Sequence, residues 1–149
     1  MSGGNAVAVA MTVAGGIAGA VQVAVMGKFG DRVGVFEAWA FATALTAAIA
    51  FAVLLLVRQS AGGYAAAAGE PPWLWVGALM GAIIVLAITL AAPRIGATAT
   101  IGIVTGGNLA TGVAIDRFGL FGLERIPLNW PRLLGVALLA LGAALVLRR

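Results

Sequence analysis

Runs of about 20 apolar residues, each long enough to cross a bilayer as a helix, recur five times along this chain of 149 residues. They occupy residues 6–26, 36–57, 73–92, 97–115 and 129–147. Hydrophobic residues make up 62% of the chain and charged residues only 9%, whereas a soluble domain carries about 25% charged residues. The sequence therefore predicts an all-α integral membrane protein, with five transmembrane helices in one domain covering residues 1–149.

Several classes of function are excluded by what the chain lacks. The nine Lys and Arg residues are scattered between apolar runs, apart from the adjacent Arg148 and Arg149, and form no basic patch for nucleic acid. The absence of cysteine and histidine excludes disulfides, thiolate nucleophiles, histidine proton relays and the usual transition-metal sites. No span holds a serine or a pair of carboxylates. We therefore expect no enzymatic activity, no metal and no cofactor.

The fourth span contains too many small and polar residues to be a simple lipid-facing anchor. One helical stripe collects Thr98, Gly102, Thr105 and Gly112, with Asn108 at its edge. A small, hydroxyl-bearing stripe in hydrocarbon faces protein or water, and an amide there is costly unless it finds a partner. Asn108 and Thr105 are therefore candidate substrate-binding residues. The alternative for Asn108 is an interhelical hydrogen bond that serves packing alone.

The first two spans contribute three further candidates. Gln22 lies one turn inside span one, where its amide needs a partner or a water-lined cavity. Glu37 lies in the first turn of span two, where the positive end of the helix dipole favours a carboxylate. It is either an interfacial cap or a proton-coupling group that faces an aqueous vestibule. Trp39 either lines a cavity or belongs to the aromatic belt at the membrane surface.

The glycines and prolines predict packing faces and connections. GxxxG pairs that begin at Gly15 and Gly77 predict faces for close helix packing. Glycine-punctuated residues 27–34 predict a turn at headgroup level, and residues 58–72 have the composition of a mobile loop. In residues 116–125, charges alternate with bulky apolar side chains, which is typical of a segment in the headgroup layer.

The basic residues do not favour either orientation in the membrane. With five spans, one face carries four of the nine Lys and Arg residues and the other carries five. Orientation follows an excess of these residues in cytoplasmic loops, so the sequence predicts insertion in both orientations, unless this count is too coarse. A chain that inserts both ways can pair with an inverted copy of itself. Such a pair has the inverted-repeat symmetry that many transporters carry within one chain.

Four segments carry the pattern of a known family. They are residues 72–77 (PWLWVG), 91–97 (AAPRIGA), 115–122 (IDRFGLFG) and 132–135 (RLLG). They resemble the YdcZ-type family of small bacterial inner-membrane proteins within the drug/metabolite transporter superfamily, and the resemblance covers almost the whole chain. It implies a multi-pass half-transporter of the bacterial inner membrane that functions as a pair of chains. Gln22 matches an amide of that family, Asn108 stands where glutamine is usual, and Met26 stands where asparagine is usual.

These observations lead us to expect a secondary transporter of a small organic solute or cation. Its central polar cavity would lie within an antiparallel homodimer, or within a heterodimer with a homologous chain. Gln22, Asn108 and Thr105 would offer hydrogen bonds, Trp39 an aromatic wall for an apolar or cationic group, and Glu37 a titratable carboxylate. The expected partners are the solute, the lipid bilayer and the second chain, with no nucleic acid. The alternative is a non-transporting accessory or assembly subunit that docks a larger complex through its GxxxG faces.

Overall fold

A computed structural model describes residues 3–127 and 129–147, and within these ranges the regular structure is entirely helical. The long helices are α1 (Gly3–Val33), α2 (Val35–Arg58), α4 (Val76–Ile95), α5 (Ala97–Phe118) and α6 (Trp130–Leu147). The short helix α3 (Gly62–Ala68) and two 3-10 turns, Pro72–Trp75 and Leu120–Gly122, lie in the connections. The prediction of an all-α fold is confirmed.

Four helical stretches in the described ranges are long and apolar enough to cross a membrane. They are Asn5–Val33, Val35–Arg58, Pro72–Ile95 and Ala97–Phe118. The predicted fifth span forms the apolar helix α6, whose 18 residues correspond to about 27 Å, slightly less than the hydrocarbon core of about 30 Å. Length and composition therefore identify four candidate spans, and the fifth stays a prediction.

Helix α1 continues through the turn that was predicted at residues 27–34, so that prediction is wrong. The helix has 31 residues and a length of about 46 Å, which exceeds the hydrocarbon thickness. Lys28, Asp31 and Arg32 therefore lie on a helical extension beyond the apolar part. The break comes at Gly34, whose φ of 104° is readily adopted only by glycine.

Two glycines in the misassigned segment bring α1 against α4. A Cβ atom on Gly27 would lie 2.8 Å from the Cβ of Ala92, and one on Gly30 would lie 2.9 Å from the Cγ2 of Thr89. Ala92 and Thr89 are both buried. The glycines therefore serve the close approach of two helices, and they leave α1 unbroken.

The helices fall into two units. One unit comprises Ala24–Pro93, where α1, α2 and α4 share a small core. The buried side chains of this core belong to Met26, Ala38, Ile88, Thr89 and Ala92. Phe29 of α1 and Phe41 of α2 meet edge to face, with ring centroids 5.8 Å apart. This packing is confined to the end of α1, the beginning of α2 and the end of α4.

The other unit comprises the described residues up to Val23 and those from Arg94 onward. Within it α5 packs against α6, and Val23, Ala99 and Thr100 are buried. Most large apolar side chains in the described ranges are exposed, and Leu56, for example, exposes 78% of its surface. An apolar surface of this extent requires lipid or another protein chain to cover it.

The connection predicted as a mobile loop at residues 58–72 contains α3, so the prediction is wrong for Gly62–Ala68. Four consecutive alanines follow Tyr64, and alanine has the highest helix propensity of any residue. The Tyr64 ring packs edge to face on Phe51 of α2, with centroids 5.5 Å apart. Local propensity and this aromatic contact together order the segment.

Helix α4 extends beyond the predicted end of span three at Ala92 and includes Pro93. Proline has no N–H group, so the carbonyl of Thr89 receives no helical bond from it. The break follows at Gly96, where φ is 87°. The Gly96 carbonyl then accepts hydrogen bonds from the backbone N–H of Thr100 at 3.1 Å and from its hydroxyl at 2.8 Å.

The contact between α1 and α4 can be tested at Gly27. Gly27→Ala forces two backbones apart, because the Cβ of Ala92 cannot rotate away, so we expect a loss of about 1–3 kcal/mol in unfolding free energy. The measurement is reversible unfolding in detergent followed by circular dichroism. Gly16→Ala on the same helix is the control, since its new Cβ meets nothing within 4 Å. Equal stability of the two variants would contradict the contact.

Candidate functional site

Asn108 lines an open cavity of about 290 Å³ in the groove between α5 and α6. The remaining lining residues are Leu109, Gly112, Val113 and Asp116 of α5 with Gly135, Val136 and Leu139 of α6. The amide of Asn108 and the carboxylate of Asp116 supply its polar side-chain groups. Its volume is close to the lower end of the range of about 300–1,000 Å³ for small-molecule sites.

Asp116 belongs to the same helix face as Asn108, a relation that the sequence analysis missed. The two residues are eight positions apart, or about 12 Å along the helix axis, and Gly112 lies midway between them. Asp116 is half-buried in the last turns of α5. The spacing of Asn108, Gly112 and Asp116 by four residues was the available signal. Across residues 3–127 and 129–147, no three acidic, histidine or cysteine side chains come together as a metal site would require.

The side-chain amides of Asn108 and Gln22 differ from the threonine hydroxyls in their hydrogen bonding. Five threonines donate to the carbonyl four residues earlier in their own helix, at 2.7–2.8 Å: Thr12, Thr43, Thr46, Thr89 and Thr100. Among the described residues, neither amide takes part in a side-chain hydrogen bond, and both side chains are exposed. The two amides are therefore available to water, to a solute or to a second chain.

Gln22 and Thr105 were predicted to share a cavity with Asn108. Both are exposed, Gln22 on α1 and Thr105 on α5 one turn before Asn108, and neither lines the groove between α5 and α6. The described structure thus brings Asn108 together with Asp116. The roles of Gln22 and Thr105 in a shared cavity stay predictions.

Trp39 connects two helices. Its indole Nε1–H donates a hydrogen bond of 3.0 Å to the backbone carbonyl of Ala82, and the side chain is half-buried. The bond joins α2 to α4 within the unit Ala24–Pro93. This geometry favours an interhelical contact over a belt position, in which the indole N–H would face the headgroups. An aromatic wall for a solute stays a prediction.

Glu37 lies at the start of α2 and its side chain folds back over Gly34. A Cβ on Gly34 would collide with the carboxylate oxygens of Glu37. The exposed carboxylate therefore lies beside the N-terminus of α2, where the helix dipole favours a negative charge. This position favours the interpretation of Glu37 as an interfacial cap over its interpretation as a proton-coupling group. A role in coupling stays a prediction.

Comparison with known proteins identifies the family of this chain. The family model described as "Putative inner membrane exporter, YdcZ" matches residues 7–145. The chain belongs to this family. The resemblance noted in the sequence is thereby confirmed, and the inner-membrane location given by the family agrees with the four apolar helices of spanning length. Searches of curated proteins and of solved structures found no match.

The hydrogen bond of Trp39 provides a test of its structural role. Trp39→Phe keeps most of the ring contacts but removes the N–H donor, so we expect unfolding free energy to fall by about 1 kcal/mol. Unfolding in detergent, followed by circular dichroism, measures the change. The control is Trp75→Phe in the turn Pro72–Trp75, where the side chain is half exposed. A similar loss in both variants would show that the Ala82 contact contributes nothing specific.

Proposed function

We propose that this YdcZ-family protein is a five-span half-transporter of the bacterial inner membrane that moves a small organic solute or cation. In this proposal two copies of opposite orientation form the walls of a central polar cavity. The observation that carries the proposal is the pair of exposed amides, Gln22 and Asn108, on helices that are long and apolar enough to span a membrane. The groove beside Asn108 supports it further.

An amide side chain inside a bilayer needs a hydrogen-bonding partner. Moving an amide into a medium without hydrogen-bonding partners costs about 2–7 kcal/mol. Neither amide has a partner in the described part of its own chain, so water, a solute or another chain must supply one. In a transport cavity, water, the solute and the second chain can provide these hydrogen-bonding partners. The groove beside Asn108 is open and small, so a second chain is needed to enclose a passage.

Open glycine faces support association with a second copy. The GxxxG glycines of α1 and α4 have nothing within 4 Å of an added Cβ: Gly15, Gly19, Gly77 and Gly81. Such faces allow another helix to approach closely. The near-equal division of basic residues between the two predicted faces supports an inverted second copy rather than a parallel one. A homologous chain of opposite orientation is the alternative partner.

Ion coupling requires a carboxylate that the cavity can reach from both sides. Asp116 lines the groove two helical turns from Asn108, which makes it a coupling candidate in addition to Glu37. Thr105 and Trp39 complete the proposed set, as a hydroxyl donor and as an aromatic wall for a cationic group. Without a working carboxylate, the same cavity supports facilitated diffusion.

The inverted pair predicts that each connection appears on both sides of the membrane. The chain has no native cysteine, so Ala66→Cys in α3 provides a single exposed label. In intact cells, we expect a membrane-impermeant maleimide to label about half of the molecules, and permeabilisation to release the other half. Labelling close to zero or close to complete would show a single orientation and exclude an inverted pair of identical chains, leaving the homologous chain as the inverted partner.

A transport cavity also predicts that water reaches residue 108 from both sides. An impermeant maleimide is added outside vesicles that contain the Asn108→Cys variant. The labelled fraction of molecules should exceed the fraction of about one half expected for Ala66→Cys. The control is Ile49→Cys, an exposed apolar position on α2 that should remain unlabelled in lipid. The accessory-subunit alternative predicts that neither position 108 nor position 49 reacts.

A further inference from the structure

A second cavity, separate from the Asn108 groove, lies at the C-terminal end of α5. It has a volume of about 420 Å³ and is lined by Arg117, Phe118, Arg125, Ile126 and Pro127. This volume is within the range typical of small-molecule sites. The site candidates from the sequence include none of these residues. Two guanidinium groups and three apolar side chains thus line one space.

The backbone holds the two arginines together. Helix α5 ends at Gly119, whose φ of 63° is left-handed, and the N–H of Ile126 donates a 2.9 Å hydrogen bond to the carbonyl of Asp116. The bond closes a compact loop. A Cβ on Gly119 would lie 2.7 Å from the Cγ of Arg125, so only glycine leaves room for that side chain. The fold therefore presents Arg125 beside Arg117.

The charges and surroundings of the pocket indicate the class of ligand. Asp116 lines the groove on the Asn108 side, and Glu124 is exposed and absent from the pocket lining. The lining is therefore cationic. Arg117 lies in the last turn of a helix of spanning length, which corresponds to headgroup depth. Phe118 and Phe121 are more than 60% exposed beside the pocket, where acyl chains can cover them.

We propose that this pocket binds the phosphate of an anionic phospholipid headgroup. A guanidinium presents two parallel N–H donors to phosphate oxygens. Two arginines can therefore bind the oxygens that share the negative charge of one phosphodiester group. Basic pockets at the ends of membrane helices bind anionic headgroups in this way. The apolar wall of Phe118, Ile126 and Pro127 packs against the glycerol and the first methylenes of the lipid. The exposed phenylalanines select a lipid over a soluble phosphate ester.

The test counts lipids bound to the full-length protein in detergent by native mass spectrometry. Phosphatidylglycerol is the probe, phosphatidylcholine is the zwitterionic comparison, and millimolar inorganic phosphate is the soluble competitor. Arg117→Gln and Arg125→Gln should each weaken phosphatidylglycerol binding by about five- to tenfold. At position 125 glutamine keeps the Cγ that packs over Gly119, and Arg117 is exposed, so both variants should fold. Arg125→Lys keeps the positive charge but loses the two parallel N–H donors of the guanidinium, so this variant should bind phosphatidylglycerol with intermediate strength.

The matched control is Arg58→Gln, which removes an exposed arginine from the last turn of α2. Unchanged binding in this variant supports a specific site at Arg117 and Arg125. Equal weakening in all three glutamine variants would show that binding follows net charge alone, and would overturn the proposal. Full competition by inorganic phosphate would also overturn it, by assigning the pocket to a soluble phosphate ester. Equal affinity for phosphatidylglycerol and phosphatidylcholine would show that the pocket does not select an anionic headgroup, and would likewise overturn the proposal.

Discussion

The hydrocarbon of a bilayer supplies no hydrogen bonds, and this constraint explains how several polar groups of the described helices are bonded. Backbone groups bond within helices, and the threonine hydroxyls named above bond to carbonyls of their own helices. The indole of Trp39 bonds to the Ala82 carbonyl on a neighbouring helix. Gln22 and Asn108 are different, since the described residues offer them no partner. Their positions therefore carry more functional information than any count of polar residues.

Packing within the chain is concentrated where glycine permits contact between backbones. At Gly30, an added Cβ would meet both the Thr89 side chain and its carbonyl oxygen, the latter at 3.6 Å. That carbonyl is the one that Pro93 cannot bond. Gly27 lies against the proline itself, since an added Cβ there would lie 3.5 Å from the Cδ of Pro93. Because this contact is local, most of the apolar surface stays free for lipid and for a second chain.

Hydropathy was sufficient to locate the five long helices of the described residues, because a run of apolar residues in a membrane has few alternatives to helix. The predicted spans at 36–57 and 97–115 agree closely with α2 and α5. Glycine was the main source of error: the same residue type marks a break at Gly34 and a tight helix contact at Gly27. Which of these applies depends on a neighbouring helix, and a sequence does not show its neighbours.

For the candidate site as well, the sequence predicted what depends on neighbouring residues and missed what depends on a distant helix. Asn108 was found because an amide in an apolar run is unusual wherever the helices lie. Asp116 was assigned to the headgroup layer from its neighbours in sequence. Its place in the groove depends on Gly135 and Val136 of α6, and these come about 20 residues later in the chain. The family match covers both helices, but a family description names no cavity.

The single-residue joints between helices limit how the chain can be lengthened. Gly34 alone separates α1 from α2, and Gly96 alone separates α4 from α5. An inserted residue at either joint would change how the next helix leaves the joint, and with it the side that this helix turns toward lipid. Residues 119–126 are closed into a loop by the hydrogen bond from the N–H of Ile126 to the carbonyl of Asp116. A tag or a fused domain therefore fits best between residues 59 and 71, where the connection is longest.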